Sequence, residues 1–411
     1  MILPVFLLLG TSYPPPAYPD PDETGKAINT FTFDFLKSLP EGTYQQNAII
    51  SPQSIFHSYA MLYIGSEGKT HAELAKTFHF PANETSLLNS LSVIRAGIKG
   101  SNTEFTTVSL ANAIQYGGLA SFQSDFLEKC SKNNEAFLRN DSFSNPQASS
   151  KDTNDWVSEK THGRISDTIS PQDLIIEKTD SSRHPALTVT NVIYFKSDWL
   201  EKFNAGLTRP LPFFPDKNTK TEVEMMSGSP RGDYFGNDDF QYLELPYKGK
   251  AYRMGILLPR KNLSPVDIVD FVSAKDFASM RKNCSPVKTR TFLPKFEIEN
   301  KLDLPSILSQ MGTVSAFEDN ASFGRMFHWN PLAERIYIND SRQDALIKVD
   351  EEGSEAVAVT TTVGYSIGCS TSPIMESPII EFRANHPFMF FIIHDASQTI
   401  LFSGWYNGPE N

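Results

Sequence analysis

Twenty consecutive residues, Ala356 to Met375, carry no charge. They read Ala-Val-Ala-Val-Thr-Thr-Thr-Val-Gly-Tyr-Ser-Ile-Gly-Cys-Ser-Thr-Ser-Pro-Ile-Met and follow an acidic, glycine-containing stretch, Glu351-Glu352-Gly353-Ser354-Glu355. Branching at Cβ makes Val and Thr favour the pleated strand. Gly, Ser and Pro in the second half mark a loop instead. A segment with both signatures is one that changes state, and such conflict is expected at a functional site. Read as a strand, it alternates between two faces. Ser354, Ala356, Ala358, Thr360, Thr362 and Gly364 share one face, and all are small enough for a packed interior. Glu355, Val357, Val359, Thr361 and Val363 share the other. Pro is absent from Ser354 to Ser372, so no ladder donor is lost.

Ahead of this segment, helical patterns come mainly first and strand patterns mainly last, which indicates an α+β arrangement. Asp22 to Leu39 places Ile28, Phe31, Phe35 and Leu36 on one helical face. A short strand at Asn47 to Ile50 leads to Ser51 as a helix cap, Pro52 at the first helical position, and a buried helix ending by Gly65. Thr70 to Phe78 and Thr153 to Thr161 are further helices, while Thr106 to Gln115 and Leu187 to Phe195 are strands. Strands continue at Glu222 to Met226, Gln241 to Pro246, Arg253 to Leu258, Lys288 to Ile298 and Ala345 to Val349. A last hairpin pairs Met389 to Ile393 with Ile400 to Trp405. Thirty Phe and fourteen Tyr favour a sheet-rich core.

The formal net charge of −11 argues against nucleic acid and anionic membrane as partners. Ile2 to Gly10 is apolar but too short to span a bilayer, and residues 1–12 read as a signal peptide. A Pro-rich tail, 13–22, follows. Six Asn-x-Ser/Thr triplets accord with secretion. Asn83, Asn140, Asn283 and Asn320 are the candidate glycosylation sites; Asn262 is disfavoured by Pro265, and Asn339 is expected to be buried. Three cysteines, Cys130, Cys284 and Cys369, do not make a disulfide framework.

A catalytic constellation is missing from the sequence. There is no Gly-x-Ser-x-Gly elbow or His-Glu-x-x-His zinc helix, and Tyr63 stands where a phosphate loop ending at Lys69-Thr70 needs Gly. No metal or cofactor is expected. Arg231-Gly232-Asp233 is an adhesive triplet on paper, but Gly-Asp reads more simply as a turn between strands.

The acidic hinge, the uncharged loop and the run Phe382-Arg383-Ala384-Asn385-His386-Pro387-Phe388 together resemble the C-terminal signature of the serpins. Earlier blocks are similar in the same order: Asn47 to Thr70, Ser109 to Ala113, Asn191-Val192-Ile193-Tyr194-Phe195 with Trp199, Glu244 to Tyr247, Leu257 to Pro259 and Leu293 to Phe296. The resemblance implies one domain, 23–411, with helices packed on a large mixed central β-sheet, two smaller sheets, and an exposed reactive-centre loop at about 351–381.

It further implies a suicide substrate of a serine protease, which traps the acyl-enzyme when the cleaved loop inserts into the main sheet; with the apolar start and the Asn-x-Ser/Thr triplets, a secreted one is expected. The alternatives are a non-inhibitory carrier, storage protein or chaperone, and a cross-class inhibitor of a cysteine protease. Residues Glu351 to Val359 form the hinge. Counting fourteen residues from Gly353 puts the reactive bond at Ile367–Gly368, whereas counting back from Pro387 gives Glu376–Ser377; Tyr365 and Met375 are further alternatives. No Lys or Arg lies between Lys348 and Arg383, so chymotrypsin-like or elastase-like targets are expected rather than trypsin-like ones.

By the same resemblance, Lys295 and Glu351 pair near Trp199 to hold the loop out. Ser51, Ser54 and Asn191 belong to a polar cluster where strands must part, with Gln343 in place of the family's usual His. The stretch from Asn83 to Gly100 offers only Arg95 and Lys99, so no strong heparin binding is expected. The chain is expected to be monomeric with a tendency to loop–sheet polymerisation.

Overall fold

A computed structural model describes residues 20–117, 120–134, 137–140, 145–174, 186–260, 264–328, 336–354 and 379–409. The reading of residues 1–12 and of most of 13–22 falls outside them, as do hinge residues Glu355 to Val359, Cys369, Asn262, and Tyr365, Ile367, Gly368, Met375, Glu376 and Ser377. The described helices are α1 (Glu23–Lys37), α2 (Pro52–Gly65), α3 (Gly68–Phe78), α4 (Glu84–Gly100), α5 (Ser124–Asn134), α6 (Pro146–Lys160), α7 (Pro265–Phe271), α8 (Ala274–Lys282) and α9 (Leu304–Gln310).

The first strands are β1 (Ala48–Ile50), β2 (Thr106–Gly117), β3 (Phe137–Asn140), β4 (Ala186–Asp198), β5 (Arg209–Phe213), β6 (Thr221–Gly228), β7 (Arg231–Gly236) and β8 (Phe240–Pro246). They are followed by β9 (Tyr252–Pro259), β10 (Ser285–Pro294), β11 (Phe296–Asp303), β12 (Tyr337–Val349), β13 (Gly353–Ser354), β14 (Ile380–Arg383), β15 (Phe388–His394) and β16 (Thr399–Tyr406).

A mixed sheet runs β11-β12-β13-β4-β2-β3. The remaining strands order as β1-β16-β15-β9-β8-β7-β10-β6-β5, with β14 on β10. The two further sheets are therefore continuous, joined by one long strand. β10 pairs with β7 through Ser285 to Lys288 and with β6 through Thr291 to Pro294. The architecture is α+β, as the order of patterns implied.

Helix α2 lies between the sheets, and every one of its residues is buried. Ser51 caps it by accepting from the Ser54 amide at 3.3 Å, and Pro52 begins it. Asp22 caps α1 in the same way, accepting from the Gly25 amide at 2.6 Å. Phe31, Phe56, Tyr59 and Phe78 join the first three helices in one core with Phe195, Phe296, Phe390 and Phe402 of the sheets.

The stretch Lys288 to Ile298, read as a single strand, is two strands in different sheets. Pro294 has no N–H to continue a ladder, and the chain breaks at Lys295, whose amide crosses to the Glu224 carbonyl at 2.8 Å. The break leaves the Lys295 side chain between the sheets' ends. The Arg-Gly-Asp triplet is not a turn either. It forms the start of β7 paired to β10, with the Asp233 carboxylate buried against Arg253 at 2.5 Å. That carboxylate is not available to a cell-surface receptor. Asn339, expected to be buried, is exposed at a bulge in β12 between Ile338 and Asp340.

His394, at the end of β15, is buried with its Nδ1 2.8 Å from the Ser397 hydroxyl and its Nε2 unpartnered. Burial pushes its pKa down from 6.5 to about 4. The folded state keeps it neutral, whereas the unfolded chain binds a proton near 6.5, so stability falls as pH drops from 6.5 towards 4. Between about pH 7.5 and 4.5 the wild type should lose about 2–3 kcal/mol more than His394→Gln. Urea unfolding of both proteins at the two pH values measures this, and equal losses would contradict it.

Candidate functional site: the opening between two parallel strands

β4 and β12 run parallel and pair from Tyr337 with Ala186 to Ala345 with Ile193. Above that point they separate. The chain leaves β12 at Val349, turns through Asp350 to Glu352, and returns as β13 between the two strands. Ser354 is opposite Val349 on one side and Ser197 on the other, antiparallel to both, and Gly353 is opposite Asp198. The first two residues of the returning segment thus already occupy the sheet.

The turn is built by Asp350. Its carboxylate accepts from the amides of Glu352 at 2.9 Å and Gly353 at 3.3 Å, while its own amide donates to the Gly353 carbonyl at 2.9 Å. Burial nevertheless raises the Asp350 pKa above its ordinary value. Gly353 is required by space: a Cβ would lie 2.0 Å from the Ser197 carbonyl oxygen. Ser354 is fully buried, and its hydroxyl lies 2.6 Å from that of Tyr247. Tyr247 stacks on Trp199 with ring centres 4.5 Å apart.

Trp199 in turn grips the turn itself. Its indole N–H donates to the Asp350 carbonyl at 2.9 Å, and its amide donates to the Glu352 carbonyl at 2.8 Å. Glu351 accepts from Thr208 at 2.6 Å and pairs with Lys295 at 2.9 Å. Burial works against the Glu351 charge, but those bonds outweigh it and hold the carboxyl below its usual range. Lys202 bridges Glu352 and Asp198 across the opening. The resemblance implied that Lys295 and Glu351 hold the loop out. The pair forms, and it frames the mouth of a sheet in which Gly353 and Ser354 are already seated.

Lower down, Gln343 and Asn191 are opposite each other across β12 and β4. The Gln343 amide accepts from the Ser51 amide at 2.8 Å and donates to the Ser51 carbonyl at 2.9 Å, tying β12 to the start of α2. Ser54 donates to Asn112 on β2 at 3.0 Å. Asn191 is held by Ser58, not by Ser54. Tyr59 reaches Ser341 at 2.9 Å. Sequence reasoning did not single out Asp350, Lys202, Thr208, Tyr247, Ser58, Asn112 or Tyr59. The only available signal was the helical spacing that puts Ser51, Ser54 and Ser58 on one side of α2.

Asn83 and Asn283 are exposed at helix ends, Asn320 is exposed in a loop, and Asn140 pairs with Tyr116 at the end of β3. Cys130 and Cys284 are free and buried, and burial pushes the Cys130 thiol up to about 12. Among the described residues no cluster of His, Cys, Asp and Glu could hold a metal ion.

The Tyr247 hydroxyl should set how firmly the two hinge residues are seated. Tyr247→Phe removes a hydrogen bond with a net contribution of about 1 kcal/mol. Amide exchange at Gly353 and Ser354 should therefore quicken by roughly five-fold, with β11 unaffected. Unchanged exchange in that variant would show that Ser354 is held by the ladder alone.

Comparison with known proteins places this geometry in a family. The profile of the serpin (serine protease inhibitor) family matches residues 26–409. The chain is 31% identical over 398 residues to a leukocyte elastase inhibitor of Xenopus tropicalis, covering 94% of this chain and 100% of that protein. The crystal structure of Serpin48 from the insect Tenebrio molitor superposes with a TM-score of 0.79 at 25% identity, covering 94% of this chain and 98% of the other. Human thyroxine-binding globulin shares the fold with a TM-score of 0.80 at 20% identity, covering 94% of this chain and 99% of that one. The chain belongs to the serpin family.

Proposed function

We propose that this serpin is a secreted suicide-substrate inhibitor of a chymotrypsin-like or elastase-like serine protease. The observation that carries this reading is the register of β13. Its pairing with β12 and β4 fixes where every later residue would fall on insertion. Ala356 would come between Ile347 and Phe195, and Ala358 between Ala345 and Ile193. Thr360 would come between Gln343 and Asn191, and Thr362 between Ser341 and Val189. Alanines would meet the apolar positions, and threonines would meet the level where Gln343, Asn191 and Ser341 make the polar bonds beneath the sheet. A loop that was merely exposed has no reason to match the gap in this way.

The gain is large enough to do work. Each new ladder bond contributes about 0.5–1.5 kcal/mol net. About a dozen residues, with their buried side chains at roughly 25 cal/mol per Å², would stabilise the inserted state by on the order of 10 kcal/mol. Nucleophilic attack by the protease serine at the bond after Ile367 forms an acyl-enzyme and releases the amine of Gly368. Insertion then carries the tethered protease away before water attacks. The relative named as an elastase inhibitor and the lack of Lys or Arg in the loop favour a pocket for an uncharged side chain. Secretion accords with the apolar run from Ile2 to Gly10 and the exposed Asn83, Asn283 and Asn320. An open sheet end beside a matching strand also makes polymerisation between copies a hazard of this mechanism.

Ser354→Arg tests the reading. Position 354 is fully buried beside Tyr247, and a guanidinium there has no partner to offset desolvation. With elastase or chymotrypsin the wild type should give a complex that survives denaturing electrophoresis, and the variant should be cleaved as a plain substrate. A wild type cut by both proteases without any covalent band would favour a non-inhibitory serpin. Equal complex formation by wild type and variant would exclude insertion from this hinge.

A further inference from the structure

A cavity of about 420 Å³ opens between α4, β2 and α6, one strand away from the loop opening, since its floor from Val108 to Ala111 pairs with Phe195 to Val192 of β4. Arg95 and Lys99 line it from α4, and Trp156 and Lys160 from α6. Each pair is four residues apart on its helix, so both members share a face. Ser109 and Leu110 of β2 form part of the floor. Three lining residues are cationic and none is acidic, in a chain whose formal net charge is −11. The concentration of positive charge here therefore runs against the average field of the protein.

The groups are arranged rather than scattered. Arg95 is half-buried and donates from Nη2 to the Leu110 carbonyl at 3.3 Å, which fixes its guanidinium against the floor. Lys160 is exposed and pairs with its neighbour Glu159 at 2.8 Å. Such a surface pair contributes little and exchanges readily for another anion. Trp156 is half-buried against the apolar cluster of Ala111, Val157, Ile165 and Val192, giving the cavity an aromatic wall. A concave site of this size, apolar on one side with a few convergent polar groups, suits a small organic ligand.

We propose that this cavity binds a small amphipathic anion: an aromatic or aliphatic body bearing one carboxylate, sulfate or sulfonate. The body would lie against Trp156 and the acidic group would sit among Arg95, Lys99 and Lys160. A polysaccharide is not the ligand class, because it would need an exposed row of cations. Here Arg95 is partly enclosed, and the charges converge from two helices onto one recess.

The probe is 2-naphthalenesulfonate, titrated calorimetrically against the full chain, with the uncharged isostere naphthalene-2-sulfonamide as comparator. The sulfonate should bind at one site, more weakly as salt is raised, and at least about ten-fold more tightly than the sulfonamide. The double variant Lys99→Gln, Lys160→Gln should lose about ten-fold for the sulfonate and nothing for the sulfonamide. Both substituted lysines are exposed, so the fold is retained, and the sulfonamide checks it. Trp156→Leu should weaken both probes. Equal affinity for the two probes, absence of saturable sulfonate binding, or an unaffected double variant would each overturn the proposal.

Discussion

A Cβ on residue 353 would sit 2.0 Å from the Ser197 carbonyl oxygen, inside any tolerable contact. Only glycine can therefore thread the narrow end of the gap between β4 and β12. The reversal at Asp350 to Glu352 exists to deliver it there, and Trp199 holds that reversal from two directions. From this point the geometry is set by arithmetic on the ladder. An antiparallel strand fits between two parallel ones, because it can pair with both and leaves no edge between them. The parallel pairing that it would replace is the weaker kind.

The level below governs when the strands can part. Gln343 makes two hydrogen bonds to the backbone of Ser51, so β12 cannot slide without leaving a buried donor and acceptor unpaired. That costs about 1–3 kcal/mol for each group. A glutamine amide does not titrate. These two bonds consequently do not respond to pH, as an imidazole in the same place would. Glu351, held below its usual range at the mouth, adds a contribution present at neutral pH that fades only when its carboxyl is protonated in acid. The closed state is thus held by several small, separate contacts, none of which approaches the on-the-order-of 10 kcal/mol that ladder formation and burial offer.

Much of this was legible in the sequence because it is local. The Ser51-Pro52 cap, the hydrophobic face of α1 and the uncharged alternation after Ser354 each depend on neighbours within a few positions, where periodicity and capping chemistry apply. Family likeness supplied the pairing of Lys295 with Glu351. What stayed hidden depends on contacts far apart in the chain. Nothing local says that Tyr247 will meet Ser354, or that Ser58 rather than Ser54 will hold Asn191. The break at Lys295 was missed because strand-prone residues lie on both sides of it, Thr289 to Leu293 and Phe296 to Ile298; Pro294 was the available warning. The bulge at Asn339 likewise had no local signature. Aspartate 350 was overlooked as one more acid in an acidic stretch, although its carboxylate makes the turn.

Thermal unfolding of the intact chain, set beside that of the chain cleaved once within residues 355–378, tests the central claim most directly. If Gly353 and Ser354 are the first rung of a strand that the freed loop completes, cleavage should raise the melting temperature by at least about 10 °C, since it adds a full strand to the mixed sheet. A cleaved chain that melts at or below the temperature of the intact one would mean that the two seated residues are only an anchor and that the strand never forms.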